Sequence, residues 1–412
     1  MNEVLRCIEC QQEYSIDRIR YSCDCGGLLA VERPLEKLKE LQTSLFDQRC
    51  LSQKDVDVSG VWRFREGILS IPESEIVTHP EGNTRLYRRK ALAHWSGIDD
   101  IAFKHEGENP TGSFKDRGMT LAVTQAKRLG ANVVACASTG NTSAALAAYA
   151  AQAGLKSVVF LPDGKVAMGK LAQALGYGAQ CLAITGSFDV AMAMVKDLAE
   201  RGDVYLVNSL NPFRLEGQKS IIWEILQNLS WQAPDWIVVP GGNLGNTSAF
   251  GKALREAYDA GWISKLPRIA SIQAEGANPF YKSYQQGLRS LDAMEPETVA
   301  TAIRIGNPVN FHKAKRVIKD LNGVVEQVTD QEIIAAKLVI DRQGIGCEPA
   351  SACSLAGAKK LRDQGIIKAH ESVVGILTGH MLKDTDAVLQ HSGRELEPIR
   401  ANLEEISKKI LN

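Results

Sequence analysis

Short runs rich in β-branched residues alternate with helical patterns along most of this chain. The helical patterns carry apolar residues at three- and four-residue spacing, as in the stripe formed by Met119, Val123 and Ala126. Strands that alternate with helices pair in parallel, and the helices then cover both faces of the sheet. The sequence therefore predicts an α/β fold with open, doubly wound sheets, whose strand-forming runs are residues 132–136, 157–161, 180–184, 204–207, 236–239, 269–272 and 372–377.

Length, charge and hydropathy limit the classes of protein to consider. The chain has 412 residues, more than a single hydrophobic core usually holds, so we expect two lobes and a small appendage. It carries 48 basic and 48 acidic residues, and this balance argues against binding to nucleic acid or to an anionic membrane surface. No apolar run approaches the roughly 20 residues that a membrane-spanning helix needs. The start of the sequence lacks the basic flank and apolar core of a secretion signal, so we expect a cytoplasmic protein.

Four of the nine cysteines are clustered near the start of the chain. Two residues separate Cys7 from Cys10, and one residue separates Cys23 from Cys25. Both pairs lie in residues 1–33, a polar segment with so little apolar content that something other than a core must hold it. The spacing resembles a zinc ribbon, in which four thiolates bind one structural zinc ion. The second pair is one residue shorter than the commonest spacing, and a ribbon that has lost its metal is the alternative.

Four loops, each after a predicted strand, carry the residues that point to chemistry. The first places Lys115 at a helix start, where a lysine is commonly a solvated charge. The second, residues 137–143, offers Ser, Thr and Asn side chains that could equally cap a helix. The third, residues 239–247, has three glycines, so that successive amides can close around a phosphate. The fourth ends an apolar strand at Thr378, whose hydroxyl could satisfy a buried ring nitrogen or cap the next helix.

Taken together, the four loops resemble the fold-type-II pyridoxal-phosphate enzymes. The resemblance rests on Gly-Ser-Phe-Lys-Asp-Arg, Ser-Thr-Gly-Asn-Thr, Gly-Gly-Asn-Leu-Gly-Asn and Thr-Gly-His in that order, and the ordered set is far more specific than any one motif. It implies pyridoxal 5′-phosphate bonded as an imine to Lys115, with the ring beside Phe114. Asn141 would meet the phenolic oxygen of the cofactor, and Thr378 its pyridine nitrogen. The implied cradle for the cofactor phosphate consists of Gly242, Asn243, Leu244, Gly245 and Asn246.

The resemblance also implies a second anion site in residues 207–219. This segment is similar to the stretch that holds a substrate phosphate in one branch of the family, with Asn208, Ser209 and Arg214 as donors. The planar guanidinium of an arginine suits phosphate oxygens. A strand end with ordinary Asn and Pro turn chemistry is the alternative. The second loop would contribute further contacts to the substrate, from Ser138, Thr139 and Thr142.

The implied activity is that of a lyase that converts O-phosphohomoserine and water to threonine and phosphate, so the expected partner is a small phospho-amino acid. A threonine dehydratase or a phosphoserine-using cysteate synthase is the alternative inside the class. A non-catalytic scaffold on a decayed enzyme body is the alternative outside it. Two departures bear on the substrate pocket: Met381 stands where the family has Gly, and Arg85 where it has Pro.

Finally, the resemblance implies a homodimer and a division into lobes. A large cofactor-binding lobe would comprise residues 76–136 and 206–412, and a small lobe residues 137–205. They would follow the ribbon-like module of residues 1–33 and a helix with its connector at residues 34–75.

Overall fold

The N-terminal ribbon is a small antiparallel sheet packed on the main body. In the computed structural model, which describes residues 3–164, 168–186, 188–391 and 398–411, its strands are β1 Val4–Cys7, β2 Glu13–Ser15 and β3 Leu29–Glu32 in the order β2-β1-β3. Leu5, Leu29 and Val31 are buried in a core that the ribbon shares with the main body. The expectation that this segment has almost no apolar content to hold it needs correction, because alternate residues of β1 and β3 supply an apolar face.

The connector covers the main body with aromatic side chains. Its helices are α1 Leu35–Lys39, α2 Thr43–Arg49, α3 Asp55–Val58 and α4 Arg65–Ile68. The ring of Phe64 packs edge to face on Phe46 and on Trp223. Trp62 Nε1 donates a hydrogen bond to Thr120 Oγ1 at 2.8 Å. The connector is therefore anchored to the helix that begins at Lys115.

Two largely parallel sheets form the main body. The larger sheet has the order β12-β11-β10-β13-β5-β4 and the smaller one β8-β7-β6-β9, and only the edge strand β4 runs antiparallel to its neighbour. Their strands are β4 Leu86–Tyr87, β5 Asp100–His105, β6 Val133–Ala137, β7 Lys156–Pro162, β8 Gln180–Ile184, β9 Tyr205–Leu206, β10 Trp236–Pro240, β11 Arg268–Ala274, β12 Val324–Val328 and β13 Ser372–Leu377.

Helices cover both faces of each sheet, as the alternation predicted. Ile237 of β10 enters the core that contains Phe250, whereas its neighbour Val238 enters the opposite core with Leu355. None of the described helices is long and apolar enough to cross a bilayer. The helices of the body are α5 Lys90–Ser96, α6 Lys115–Arg128, α7 Asn141–Ala153, α8 Met168–Gly176, α9 Phe188–Glu200, α10 Pro212–Gln218, α11 Ser220–Asn228, α12 Gly245–Asp259, α13 Pro279–Gln285, α14 Phe311–Asp320, α15 Asp330–Arg342, α16 Pro349–Asp363, α17 Thr385–His391 and α18 Leu403–Leu411.

The smaller sheet extends beyond the small lobe expected from sequence. Strand β6 begins at Val133 and β9 ends at Leu206, whereas the expected bounds were residues 137 and 205. The expected bounds followed the loop motifs, which begin where these strands end. A lobe defined by its sheet therefore includes all of β6 and β9.

The strand order brings the four loops to one place. Strands β5, β13 and β10 are neighbours in the larger sheet, and β6 and β9 are neighbours in the smaller one. Parallel strands present their carboxyl ends at the same edge, where α/β proteins bind ligands. The loops after β5, β6, β10 and β13 are the four singled out from the sequence, and β9 leads into residues 207–219, the predicted second anion site.

Helices α6 and α10 touch through glycines. A methyl group on Gly217 would fall well inside contact distance of the Arg117 carbonyl oxygen, and one on Gly118 would lie 2.9 Å from the Arg214 carbonyl oxygen. The helix that begins at Lys115 and the helix that carries Arg214 therefore pack backbone to backbone.

Replacement of Gly217 by Ala should lower the free energy of unfolding by about 1–3 kcal/mol or more, because a backbone carbonyl cannot move aside as a flexible side chain can. Gly176→Ala is the matched control, since a methyl group there meets nothing within 4 Å. Its effect should stay within about 0.5 kcal/mol. Denaturant titration followed by circular dichroism measures both, and equal midpoints for the two variants would contradict the close helix contact.

Candidate active site

Lys115 is the first residue of α6, and the loop that leads to it is tied to the end of β13. The Phe114 amide donates to the Thr378 carbonyl oxygen at 3.0 Å, and Ser113 forms an antiparallel bridge with Gly379. Because these bonds join backbone to backbone, they fix the start of α6 relative to the end of β13. The first and fourth predicted loops therefore meet.

The amine of Lys115 lies in a poorly solvated part of the cleft, 3.9 Å from the centroid of the Phe114 ring. Burial, with a contribution from the Arg214 guanidinium, lowers the pKa of Lys115 to about 7, and Glu348 opposes the shift. About half of such an amine is unprotonated at neutral pH, whereas an ordinary lysine with a pKa of about 10.4 is almost fully charged. A desolvated amine of this kind is suited to bond with an aldehyde.

The Thr378 hydroxyl and the Asn141 amide meet at a carboxyl group that sequence reasoning missed. Glu348 Oε1 accepts a hydrogen bond from Thr378 Oγ1 at 3.1 Å, and its Oε2 accepts one from Asn141 Nδ2 at 3.0 Å. Ser351 Oγ lies 2.9 Å from Thr378 Oγ1. Burial raises the pKa of Glu348, and its two donors oppose that shift. The second and fourth loops therefore share one buried acceptor.

The sequence around Glu348 and Ser351 does not indicate that these residues contact Thr378. Glu348 precedes Pro349 at the start of α16, and an acidic residue followed by proline is an ordinary signal for a helix start. A rule that looked for buried acids before helices could have selected Glu348, but only the packing of α16 against β13 brings it to Thr378.

The glycine loop between β10 and α12 is packed too closely at two of its glycines to hold larger side chains there. Leu244 has a φ of 60°, a left-handed conformation that is rare for a leucine. A methyl group on Gly242 would lie 3.1 Å from Ile303 Cα, and one on Gly245 would lie 3.2 Å from Leu215 Cδ2. The amides of the first turn of α12 have no partner inside the helix and carry partial positive charge. This arrangement suits a phosphate group.

These groups fit pyridoxal phosphate. A desolvated amine for its aldehyde, a hydroxyl and an amide for its ring, and helix-start amides for its phosphate lie on the loops that follow β5, β13, β6 and β10. Within the described part of the chain, Asn246 Oδ1 is buried and has no hydrogen-bond partner. An unpaired buried polar atom costs free energy, and because an amide oxygen only accepts hydrogen bonds, the Asn246 amide would meet a ligand phosphate through Nδ2.

Arg214 is a buried cation without an acidic partner in the described ranges. Its Nη1 donates to the Val207 carbonyl oxygen at 3.0 Å, and its Nε has no partner there. Burial lowers the pKa of Arg214 to about 10. A buried charge without a counter-charge is costly, so the site around Arg214 favours an anion.

The other residues expected to bind the substrate also have structural contacts. Asn208 Oδ1 accepts from the Ala137 amide at 3.0 Å, and Asn208 Nδ2 donates to the Ala137 carbonyl oxygen at 2.9 Å. Asn208 thus ties the end of β9 to the end of β6 and keeps one amide hydrogen for a ligand. The Ser209 carbonyl oxygen accepts from Asn310 at 3.5 Å. The three residues of the second loop are partly exposed at or before the start of α7: Ser138, Thr139 and Thr142.

Both departures from the family pattern have a structural role. The Arg85 amide donates to Glu108 Oε2 at 2.7 Å, a bond that proline cannot make. Met381 packs on Gly346, where a methyl group would lie 2.8 Å from its sulfur atom. Neither change removes a group from the four loops.

The four cysteines of the ribbon lie together. All four sulfur atoms are within 4.8 Å of one another, with 3.6 Å between those of Cys7 and Cys25 and 3.4 Å between those of Cys10 and Cys23. Four sulfurs at Zn–S distances of about 2.3 Å would be about 3.8 Å apart in a tetrahedron. A methyl group on Gly27 would lie 2.6 Å from the Cys7 sulfur. The cluster therefore has the size of a four-thiolate zinc site.

Comparisons of sequence and structure with known proteins identify the family and the fold. A family model described as "Pyridoxal-phosphate dependent enzyme" matches residues 77–379. The crystal structure of threonine synthase from Escherichia coli is similar with a TM-score of 0.73 at 18% identity, covering 98% of this chain and 94% of that one. Threonine deaminase isoform 2 from Solanum lycopersicum is similar with a TM-score of 0.66 at 19% identity, covering 86% of this chain and 90% of that one. The fold and site thus define a fold-type-II pyridoxal-phosphate-dependent enzyme, which confirms the predicted fold class.

Curated relatives show which family of pyridoxal-phosphate-dependent enzymes the chain resembles in sequence. The threonine synthase of Methanocaldococcus jannaschii is 49% identical over 409 residues, covering 98% of each chain. That of Methanosarcina acetivorans is 49% identical over 409 residues, with the same coverage. The chain belongs to the threonine synthase family of pyridoxal-phosphate-dependent enzymes.

The lowered pKa of Lys115 predicts how its reactivity depends on pH. In the apoenzyme, acylation of Lys115 by an anhydride should rise with pH, reach half its maximum near pH 7 and then level off, because only the neutral amine reacts. Exposed Lys127, near the other end of α6, serves as the internal reference for a solvated amine. Peptide mass spectrometry measures both rates, and identical profiles would show that Lys115 is an ordinary solvated amine.

Proposed function

We propose that this enzyme converts O-phosphohomoserine and water to threonine and phosphate. The observation that carries the proposal is the buried guanidinium of Arg214, which has no acidic partner among the described residues and is close enough to Lys115 to lower its pKa. A dehydratase acting on a hydroxy-amino acid has no use for a buried cation in this position, whereas a substrate phosphate would neutralise it. The printed names of the relatives at 49% identity support the same activity.

The residues of the four loops would hold the cofactor. Lys115 would bond to it, with Phe114 beside the ring, Asn141 at the phenolic oxygen and Thr378 at the pyridine nitrogen. When bound, pyridoxal phosphate stabilises negative charge that develops on substrate carbons next to the amino group. Glu348 accepts hydrogen bonds from both Asn141 and Thr378, so it would set the direction in which these two side chains point. The cofactor phosphate would lie on Gly242, Asn243, Leu244, Gly245 and Asn246.

Lys115 would transfer protons to and from the substrate, and Arg214 would bind its phosphate. Lys115 Nζ, with its pKa of about 7, would accept the proton from the α carbon and then move a proton at the β carbon. Arg214 would hold the γ-phosphate, with Asn208 and Ser209 as further donors, and would stabilise its charge as it leaves. The remaining substrate contacts would come from Ser138, Thr139 and Thr142.

The function is tested by offering the holoenzyme O-phosphohomoserine, phosphoserine and threonine in parallel. We expect threonine and phosphate from the first and neither sulfite-dependent product nor keto acid from the others. Arg214→Met should reduce kcat/KM for O-phosphohomoserine by at least about tenfold, the value of a charged hydrogen bond. A variant that releases phosphate as fast as the wild type would refute the proposed role of Arg214, and keto acid from threonine would favour a dehydratase.

Replacement of Arg214 and replacement of the buried Arg117 should affect the stability of the protein in different ways. Arg214→Met should leave the melting temperature unchanged or raise it, because it removes an unpaired buried charge. Arg117→Met is the control, since Arg117 pairs with Glu106 at 2.7 Å and with Glu224 at 3.0 Å, and its loss should cost about 3–5 kcal/mol.

We also propose that the ribbon holds one structural zinc ion on Cys7, Cys10, Cys23 and Cys25. Metal analysis should find about one zinc per chain, and Cys10→Ser should lower that content while Cys181→Ser, outside the ribbon, leaves it unchanged. Clearly less than one zinc with all four thiols freely titratable would identify a ribbon without metal. Homodimer assembly stays a prediction of the resemblance, and a cytoplasmic location stays a prediction from the sequence itself.

A further inference from the structure

A cavity lies between the ribbon and the main body, apart from the candidate active site. It has a volume of about 270 Å³, and its walls are β3 of the ribbon and helices α10, α12 and α14. The floor is apolar and includes Val31, Leu215 and Val317. Ion pairs within its walls already neutralise some of the charges, because Lys252 bonds to Glu216 at 3.0 Å and to Glu256 at 2.6 Å.

Two cations of the cavity have no acidic partner within ion-pair distance in the described chain. Lys313 Nζ donates to the Leu29 carbonyl oxygen at 2.6 Å, and burial lowers the pKa of Lys313 to about 8. Arg255 forms no ion pair with the described residues. Glu32 and Asp320 also line the cavity but form no ion pair with either cation, although Glu32 and Glu216 partly offset the effect of burial on the pKa of Lys313. An apolar floor beside two unpaired cations suits a small molecule that has one anionic group and an apolar part.

Helix α10 separates this cavity from the candidate active site. Pro212, Leu215 and Glu216 line the cavity, whereas the backbone of Arg214 and the side chain of Gln218 contact Gly118 on α6. Positions three and four residues apart share one face of a helix, so the two sets lie on different faces of α10. A ligand that shifts α10 would therefore shift Arg214.

The ribbon is coupled to the same helix. Arg33, which follows β3, pairs with Glu216 of α10 at 2.6 Å, and both side chains are buried. Its Nη2 also donates to the Ile68 carbonyl oxygen at 2.7 Å. Helix α12 contributes Ala249 and Lys252 to the cavity and begins at the glycine loop. The cavity thus touches both helices that carry the candidate anion sites.

We propose that this cavity binds a small amphipathic carboxylate or sulfonate, held by Lys313 and Arg255 over the apolar floor, and that the bound molecule acts on the active site through α10. The proposal gives the ribbon a role as one wall of an effector site. It rests on the cavity and its contacts and does not depend on which amino acid the enzyme converts.

The probe is 1-anilinonaphthalene-8-sulfonate, added to the holoenzyme in the presence of saturating inorganic phosphate so that the site around Arg214 is occupied. We expect saturable fluorescence whose dissociation constant rises about tenfold in a Lys313→Gln, Arg255→Gln double variant, the loss expected for charged hydrogen bonds. Ala30→Trp, which fills the cavity from β3, should act in the same direction. Lys319→Gln, an exposed cation on α14 outside the cavity, should change nothing.

Amide hydrogen exchange tests the coupling without any assay of activity. Bound probe should slow exchange in residues 212–218 of the wild type and not in residues 330–342 of α15, and the double variant should lose the effect. Binding that the double variant does not weaken, or binding that leaves exchange in residues 212–218 unchanged, would overturn the proposal. Failure of phosphate release from O-phosphohomoserine would instead overturn the proposed function and leave both measurements interpretable.

Discussion

A buried network of charges around Arg117 holds the active-site helix in place. Its guanidinium pairs with Glu106 at the end of β5 and with Glu224 of α11, and Glu224 also binds Lys104 at 2.6 Å. Glu224 further accepts hydrogen bonds from the amides of residues 83 and 84. Its cations hold the pKa of Glu224 well below the usual range of a glutamate, although burial alone would raise it. The turn of α6 that begins with Lys115 is therefore fixed to the larger sheet, to α11 and to residues 83–84, which lie shortly before β4.

Arg117 and Arg214 are both buried, but the structure neutralises their charges differently. Arg117 is surrounded by carboxylates, so its charge is neutralised by the fold itself. Arg214 lies across the glycine contact between α6 and α10 and has no such carboxylate in the described ranges. Since an isolated charge in a protein interior is unfavourable, the folded state holds free energy that an anionic ligand can release on binding. The packing of α6 against α10 therefore contributes to the affinity of the site for an anion.

The sequence predicted the sheets and the loops better than it predicted the side-chain contacts that join them. Local patterns indicate strands and glycine-rich turns, because alternation and turn chemistry act over a few residues. Glu348 meets Asn141 only through the packing of two lobes, and about 200 residues separate them in the chain. The apolar face of the ribbon was missed for another reason, since β1 and β3 each have four residues and too few alternate positions to show a pattern.

The place of β13 in the larger sheet has a consequence for synthesis of the chain. This strand is the last of the sheet in sequence, yet it lies in the middle, between β10 and β5. While the ribosome makes the protein, β5 and β10 leave the exit tunnel long before residues 372–377, and neither can take its final partner until then. The smaller sheet, complete by residue 206, has no such delay. The nascent enzyme must therefore keep two exposed strand edges from aggregating until its final tenth emerges.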